Sequence, residues 1–368
     1  MMSINISFGG ATIKRPGAYS TVDSSGMVPV TPGSLKVLAV IGPSGTGATI
    51  TPGTVAYFND PKLAAAAVGE GELLEVMNVA WRHGADLIAV SAAAVTDPAT
   101  APTDAEWQAA IDLLQPEEVS GIIPITTQAA VWAKVDTHIT LMSNTKNRKR
   151  RRAFYGHAAG TSIADIQAAA AAIPVERGLL ATPCPLVADS TGNKVVKPGY
   201  YMAAAIAGIW AGQESQQPVT YKLVRFDGLE KIYIGQEIET LLEAHVCPIE
   251  SVKNVGFRIV QGVTLSTSDD LTQSELSVST LKDDMSANLE SYFETKYVGT
   301  PTVNGIEVTI YNDLVSQIQG FQKNGWISGF VSDSIKVSRN GTVFTLEWEG
   351  IPTLPINNFL ITSHFTLK

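Results

Sequence analysis

Hydrophobic and polar positions follow two different periods along this chain. Up to about residue 215, short apolar runs alternate with stretches whose apolar residues recur every three or four positions. Lys36–Ile41 is apolar almost throughout and predicts a strand buried on both faces; Leu87–Val90, Val119–Ile125, Ala153–Gly156 and Leu179–Thr182 predict further strands. Glu72–His83, with Leu73, Val76, Met77 and Ala80 on one stripe, predicts a helix, as do Asp104–Leu114, Gln128–Met142, Ile163–Ile173 and Tyr201–Trp210. Asp104 falls in a first turn, where the helix dipole favours a carboxylate, and Ser162 with Asp165 fits an N-cap. Strands alternating with helices of this length predict an open, largely parallel α/β sheet.

The polar run Gln213–Thr220 marks a boundary, after which the alternation loosens. A helix is expected within Ile234–Val246, a strand over Val255–Leu265 and a long helix over Thr280–Tyr297, with Thr280 and Asp283 as its capping box and Gly299 ending it. Leu314, Val315, Ile318 and Phe321 predict another helix, closed by Gly325. Ile335–Trp348 reads as a hairpin turning at Asn340–Gly341 in type I′ geometry. That turn sets Val337 opposite Phe344, Ile335 opposite Leu346 and Lys336 opposite Thr345.

Both ends of the chain carry alternating runs set off by glycine or proline. Ile4, Ile6 and Phe8 share one face at the start, and Phe359, Ile361, Phe365 and Leu367 share one at the end, beyond Pro352 and Pro355. A tethered apolar strand without a partner is an aggregation hazard, and the expected cover is another copy of the chain. Gly9, Gly10 and Gly350 are candidate hinges for these arms. The fold class expected is thus α/β and α+β: an N-terminal arm (residues 1–20), an α/β domain (21–215), a C-terminal α+β domain (216–350) and a C-terminal arm (351–368).

Composition narrows the function. The formal net charge is −9, which argues against whole-protein attraction to nucleic acid. Only two cysteines, Cys184 and Cys247, are present, so a disulfide framework is not expected. The first residues lack a basic and apolar leader pattern, and no run of about 18 apolar residues could span a bilayer; a soluble, cytosol-made protein without membrane insertion is expected. Gly42–Thr49 (GPSGTGAT) invites a phosphate-loop reading, but Ala48 stands where the phosphate-binding lysine belongs. The five histidines, His83, His138, His157, His245 and His364, are scattered singly, and no nucleophile–base–anion-hole set assembles. No catalytic, metal or cofactor residue is assigned. The densest charge run is Lys146–Arg152 (KNRKRRR). It fits a solvated helix–strand link, an intersubunit contact through Lys146, Arg148, Lys149, Arg150, Arg151 and Arg152, or a phosphate backbone.

Several segments, taken in order, resemble contractile tail sheath proteins. They are Ile238–Thr267 with its VCPIESVKNVGFRIVQGVTLST, the long helix ending in ETKYVG, the segment FQKNGWISGF and the closing EWEGIPTLPINNFLITSHFTL. The opening GGATIKRPGAY is similar to the start of that family. One departure stands at Ala244, His245 and Val246, where the family often has Ala-Gly-Val and a glycine suits a left-handed cap. The resemblance implies a structural subunit stacked as six-fold rings around a tail tube, with residues 216–350 in the inner sheath layer. It implies that the N- and C-terminal arms add strands to neighbours' C-terminal domains and that rigid subunits rotate on contraction without nucleotide. The implied partners are other copies, the tail tube protein, and baseplate and tail terminator proteins. The implied location is the virion tail, assembled in host cytoplasm. The rival class is an α/β enzyme of nucleotide-binding or hydrolase type.

Overall fold

The structure is a computed structural model and describes residues 6–8, 11–13, 36–93, 95, 101–189, 191–357 and 362. In chain order the first elements are β1 (Ile6–Phe8), β2 (Ala11–Ile13), β3 (Leu38–Pro43), β4 (Val55–Phe58), α1 (Pro61–Val68), α2 (Glu72–Arg82), β5 (Ile88–Ala93), α3 (Asp104–Asp112), β6 (Gly121–Pro124), α4 (Ala129–Met142), β7 (Arg152–Gly156), α5 (Ile163–Ala171) and β8 (Gly178–Thr182). Then come β9 (Pro185–Ala188), β10 (Lys194–Val196), α6 (Tyr200–Ala211), β11 (Leu223–Val224), β12 (Gly228–Leu229), α7 (Gly235–Glu243), β13 (Cys247–Val252) and β14 (Gly256–Ile259). The last are α8 (Leu271–Ser274), α9 (Leu276–Tyr297), α10 (Ile306–Lys323), β15 (Ile327–Asn340) and β16 (Val343–Pro352).

A nine-stranded sheet in the order β11-β14-β13-β8-β7-β6-β3-β5-β4 forms the body. Its centre, β13 through β5, is parallel; β4 and β14 run antiparallel to it at either side, and β11 pairs antiparallel with β14 at the edge. Every residue of β5, β6, β7 and β8 is buried, so both faces are covered. Alanine-rich α6 lies across the central strands and packs on α2, while α3 and α4 pack together against β3, β5, β6 and β7. Two glycines permit the α2–α6 crossing: a Cβ on Gly208 would sit 2.4 Å from the Ala80 carbonyl oxygen, and one on Gly212 would sit 2.4 Å from that of Gly84.

The polar run near residue 215 does not end the sheet. β11, β13 and β14 follow it and still belong to the same layer, because parallel pairing of Cys247 with Ala181 and Pro248 with Thr182 carries the chain back onto β8. The hydrophobic core divides later. One cluster runs from Val37 to Leu276, and a second begins at Val278 and gathers Leu281, Met285, Leu314, Ile318, Phe321, Trp326, Ile327 and Ile335. This second core lies between α9, α10 and the β15–β16 hairpin. α9 starts at Leu276 rather than Thr280, so Thr280 is inside the helix and caps nothing. Its hydroxyl donates to the Leu276 carbonyl (2.7 Å) and accepts from the Trp210 indole N–H (2.9 Å), tying α9 to α6.

The end of α7 shows what the His245 substitution does locally. His245 N–H donates to the Leu242 carbonyl (2.9 Å) and Val246 N–H to that of Leu241 (3.0 Å), the double bond pattern of a Schellman cap. That cap needs a left-handed residue, and His245 takes φ of 57°. A side chain there is strained where glycine is not. His245→Gly should therefore stabilise the fold by about 0.5–1 kcal/mol, read as a higher urea midpoint at unchanged slope.

Candidate assembly site

The C-terminal ends of parallel strands are where an α/β sheet would hold a ligand. After β3, the glycine-rich loop is filled by the chain itself. Gly45 N–H donates to the Val68 carbonyl (2.7 Å), and Thr46 and Glu70 exchange both backbone bonds (2.8 and 3.0 Å). A Cβ on Gly45 would lie 2.1 Å from the Glu70 carbonyl oxygen. The loop's N–H groups thus serve the α1–α2 connection. After β7 and β8, the His157 ring meets Thr182 Oγ1 (2.7 Å), which in turn meets the Tyr233 hydroxyl (2.7 Å). Cys184 is buried beside them. Burial, then the charge of Glu230, pushes its thiol upward, which disfavours the nucleophilic thiolate. Among the described residues no group of three or more His, Cys, Asp or Glu is placed to hold a metal ion.

The basic run is an internal hub. Arg148 φ is 57°, turning the link after α4 into β7. From there alternate side chains reach α9: Arg148 to Glu294 (2.8 Å), Arg150 to both oxygens of Glu290 (2.8 and 2.9 Å), and Arg152 to Asp283 (2.7 Å). Arg177, just before β8, forks onto Asp283 as well, and Lys282 pairs with Glu176 (3.0 Å). The intervening residues turn the other way, toward the connection between α3 and β6. Lys149 pairs with Glu118 (2.8 Å), while Arg151 approaches His138 Nε2 (2.6 Å) and donates to the Glu117 carbonyl. Lys146 is exposed. Acids at 283, 290 and 294 on one helix face thus match cations at 148, 150 and 152 at strand spacing. Both spacings are present in the sequence, but only the fold brings them together.

Burial alone would raise the Asp283 carboxyl, yet the guanidiniums of Arg177 and Arg152 hold it well below the usual carboxylate range. For His138, burial and then repulsion from Arg151 push the imidazole down to about 4.

The remaining surface of interest is the β15–β16 hairpin. Only Gly341 in its turn has positive φ (62°). The ladder pairs Asn340 with Val343, Arg339 with Phe344, Ser338 with Thr345 and Val337 with Leu346. The loop is therefore Gly341–Thr342, with glycine first as a type II′ turn requires, instead of Asn340–Gly341. The register moves by two, so the faces read from the sequence are kept while the expected partners are not. Farther along, residues 332–335 of β15 bulge opposite Trp348. The Ser334 hydroxyl closes the gap, accepting from Glu349 N–H (2.7 Å) and donating to the Val331 carbonyl (2.6 Å).

This hairpin is a sheet of two strands only, and among the described residues nothing else pairs with either edge. Its inner face is partly covered: Phe330, Val337, Leu346 and Trp348, with Leu289, Phe293 and Val315 from the helices below, pack on the second core but remain half-exposed. Gly350, expected as a hinge, pairs with Phe330 within the ladder. The chain is pinned further on, where Thr353 donates its N–H to the Trp326 carbonyl (3.1 Å) and its hydroxyl to that of Gly325 (2.8 Å). Of the arm residues, Ile6 and Phe8 lie in β1, opposite Ile13 and Ala11 of β2. Ile4, Gly9, Gly10, Phe359, Ile361, Phe365 and Leu367 lie outside the described residues.

Residues 100–265 match the family model of the phage tail sheath protein central domain. The chain is 27% identical over 270 residues to the tail sheath protein of Bacillus phage SP01, covering 72% of this chain and 46% of that one. In fold it is similar to the sheath tail protein of Desulfitobacterium hafniense (TM-score 0.68, 12% identity, 92% of this chain and 97% of that one). It is equally similar to the helical sheath of the anti-feeding prophage in its contracted state (TM-score 0.68, 11% identity, 95% and 98%). By sequence the chain is thus similar to phage tail sheath proteins, and in fold to sheath proteins of contractile systems. It spans about half the length of the curated relatives it matches.

Two measurements probe the ion cluster. Asp283→Asn removes the anion shared by Arg152 and Arg177, and should cost about 3–5 kcal/mol in urea unfolding. For His138, the unfolded chain binds a proton near pH 6.5 and the folded one only near 4. Stability therefore falls as pH drops through that window, by roughly 3 kcal/mol from this group. A His138→Gln variant should show a correspondingly shallower acid loss than the parent.

Proposed function

We propose that this chain is a structural, non-enzymatic subunit of a contractile tail sheath. It polymerises as stacked hexameric rings around a tail tube, joins its neighbours by exchanging terminal strands, and contracts to drive the tube through the host envelope. The observation that carries this reading is the unfinished hairpin layer. Two helices support a sheet of only two strands, and the residues along its flanks stay half-exposed. Chains with alternating apolar runs at both ends have strands of the right kind to complete it. Each added backbone hydrogen bond contributes about 0.5–1.5 kcal/mol net, and each fully buried Ile or Phe about 1.5–3 kcal/mol, against the cost of ordering the arm. Such a joint can survive a large movement of the bodies it connects. The self-filled loop after β3 supports a device driven by stored assembly energy without nucleotide.

On this reading the partners are other copies, the tail tube, and baseplate and tail terminator proteins, and the chain works in a virion tail assembled in host cytoplasm. Deleting residues 358–368 should leave a monomer with the parent's circular dichroism and thermal transition but abolish tubes in negative-stain images. Tubes of normal length from the deleted chain would refute strand exchange at this end.

A further inference from the structure

Between the two cores the chain turns an elbow at Glu275. Helix α8 ends just before it and α9 begins just after it, where the first hydrophobic cluster gives way to the second. The elbow is clamped to the segment that leaves β14. Leu276 N–H donates to the Gly262 carbonyl (2.8 Å), Thr264 N–H to that of Ser274 (2.8 Å), and the Thr264 hydroxyl to that of Gln273 (2.6 Å). Leu265 N–H donates in turn to the Gly178 carbonyl at the start of β8 (2.8 Å), which ties the clamp to the nine-stranded sheet. Small hydroxyls, those of Thr264, Ser266, Ser274, Ser277 and Ser279, are buried around the joint.

Glu275 itself is 0% exposed. Its carboxyl is met only by the Gln261 amide (3.4 Å) and the Ser277 hydroxyl (3.2 Å), both long for bonds to an ionised group. Among the described residues no Lys, Arg or His pairs with it. From β13 the titratable group facing it is Cys247, whose thiol is pushed up by burial and then by Glu275. Val219, Gly262 and Leu276 around it carry no charge. On α8, Asp270 is turned to the Thr272 N–H. Farther along α9, Lys282, Asp283 and Asp284 are engaged with Glu176, the arginines and Ser215. Burial therefore dominates and pushes the Glu275 carboxyl up to about 7, with Gln261 and Ser277 pulling it only part of the way back.

We propose that Glu275 is a proton-operated latch on this elbow. Protonated, it is one more neutral member of the hydroxyl cluster and holds α9 to the sheet. Ionised, it draws water into the joint and loosens the layer of α9, α10 and the hairpin from the body. An opened elbow gives up this proton near pH 4.5 and a closed one near 7. Closure is therefore tightest at acid pH and weakens as pH rises through that window. The direction is opposite to that of His138, whose protonation destabilises the fold as pH falls.

Hydrogen exchange at the Thr264 and Leu276 amides, corrected for the intrinsic pH dependence of exchange, reads the opening. In the full chain their protection should fall roughly a hundredfold between about pH 5 and 8. The Ile125 amide, bonded to the Ile41 carbonyl inside the sheet (2.9 Å), should keep its protection and serves as the control. In Glu275→Gln, whose side chain stays neutral, Thr264 and Leu276 should be equally protected at both ends of the range. A flat profile in the parent chain, or a fall shared equally by Ile125, overturns the latch whether or not the variant folds. A Glu275→Gln chain that keeps the parent's pH dependence overturns it as well.

Discussion

One carboxylate holds the two cores of this molecule in register. Asp283 sits on α9, the helix that leaves the first hydrophobic cluster at Leu276 and enters the second at Val278. It is buried, and a buried carboxylate persists as an ion only when cations and hydrogen bonds replace water. Arg152 from the start of β7 and Arg177 from the approach to β8 supply both. Arg150 and Arg148 extend the contact to Glu290 and Glu294. The hairpin rests on α9 and α10, so its orientation toward the nine-stranded body follows from where these guanidiniums converge. A desolvated ion cluster is directional, whereas an apolar contact of the same size would tolerate sliding.

Much of the α/β body was legible in the pattern of apolar residues, because fully buried strands and striped helices each leave a period. α2, α4, α5 and α6 begin and end within a few residues of expectation. The pattern fails where neighbours decide. α1 begins at Pro61 and is mostly alanine, so its apolar residues mark no stripe, and only the fold shows the Asp60 side chain capping it. Pro248 and Glu250 interrupt the apolar pattern of β13, and its place beside β8 is what makes it a strand. The hairpin existed as read, but glycine took the first loop position, so the ladder closed two residues out of the expected register. The hub of the candidate site was half visible: the cations were evident as a run, while the acids that neutralise them lie about 140 residues away on one helix face. Apolar periodicity does not reveal such a match.

Among the described residues, the loop after β3 is filled by the chain's own backbone, and beyond β7 and β8 the ring of His157 and the hydroxyls of Thr182 and Tyr233 bond one another. What remains open is a sheet edge. In a soluble enzyme that edge would be a liability, blunted by charge or covered by a loop. Here the bulge closed by Ser334 disrupts one edge and leaves the other regular.

The clip at Thr353 has a mechanical consequence. It ties the end of β16 to Gly325 and Trp326, just before β15, so the two strands are held together at the open end of the hairpin, opposite the Gly341 turn. Ladder bonds pulled apart from that end open one at a time like a zipper, and the two Thr353 bonds are the first to carry the load. The clip guards the hairpin at the end where its ladder is weakest.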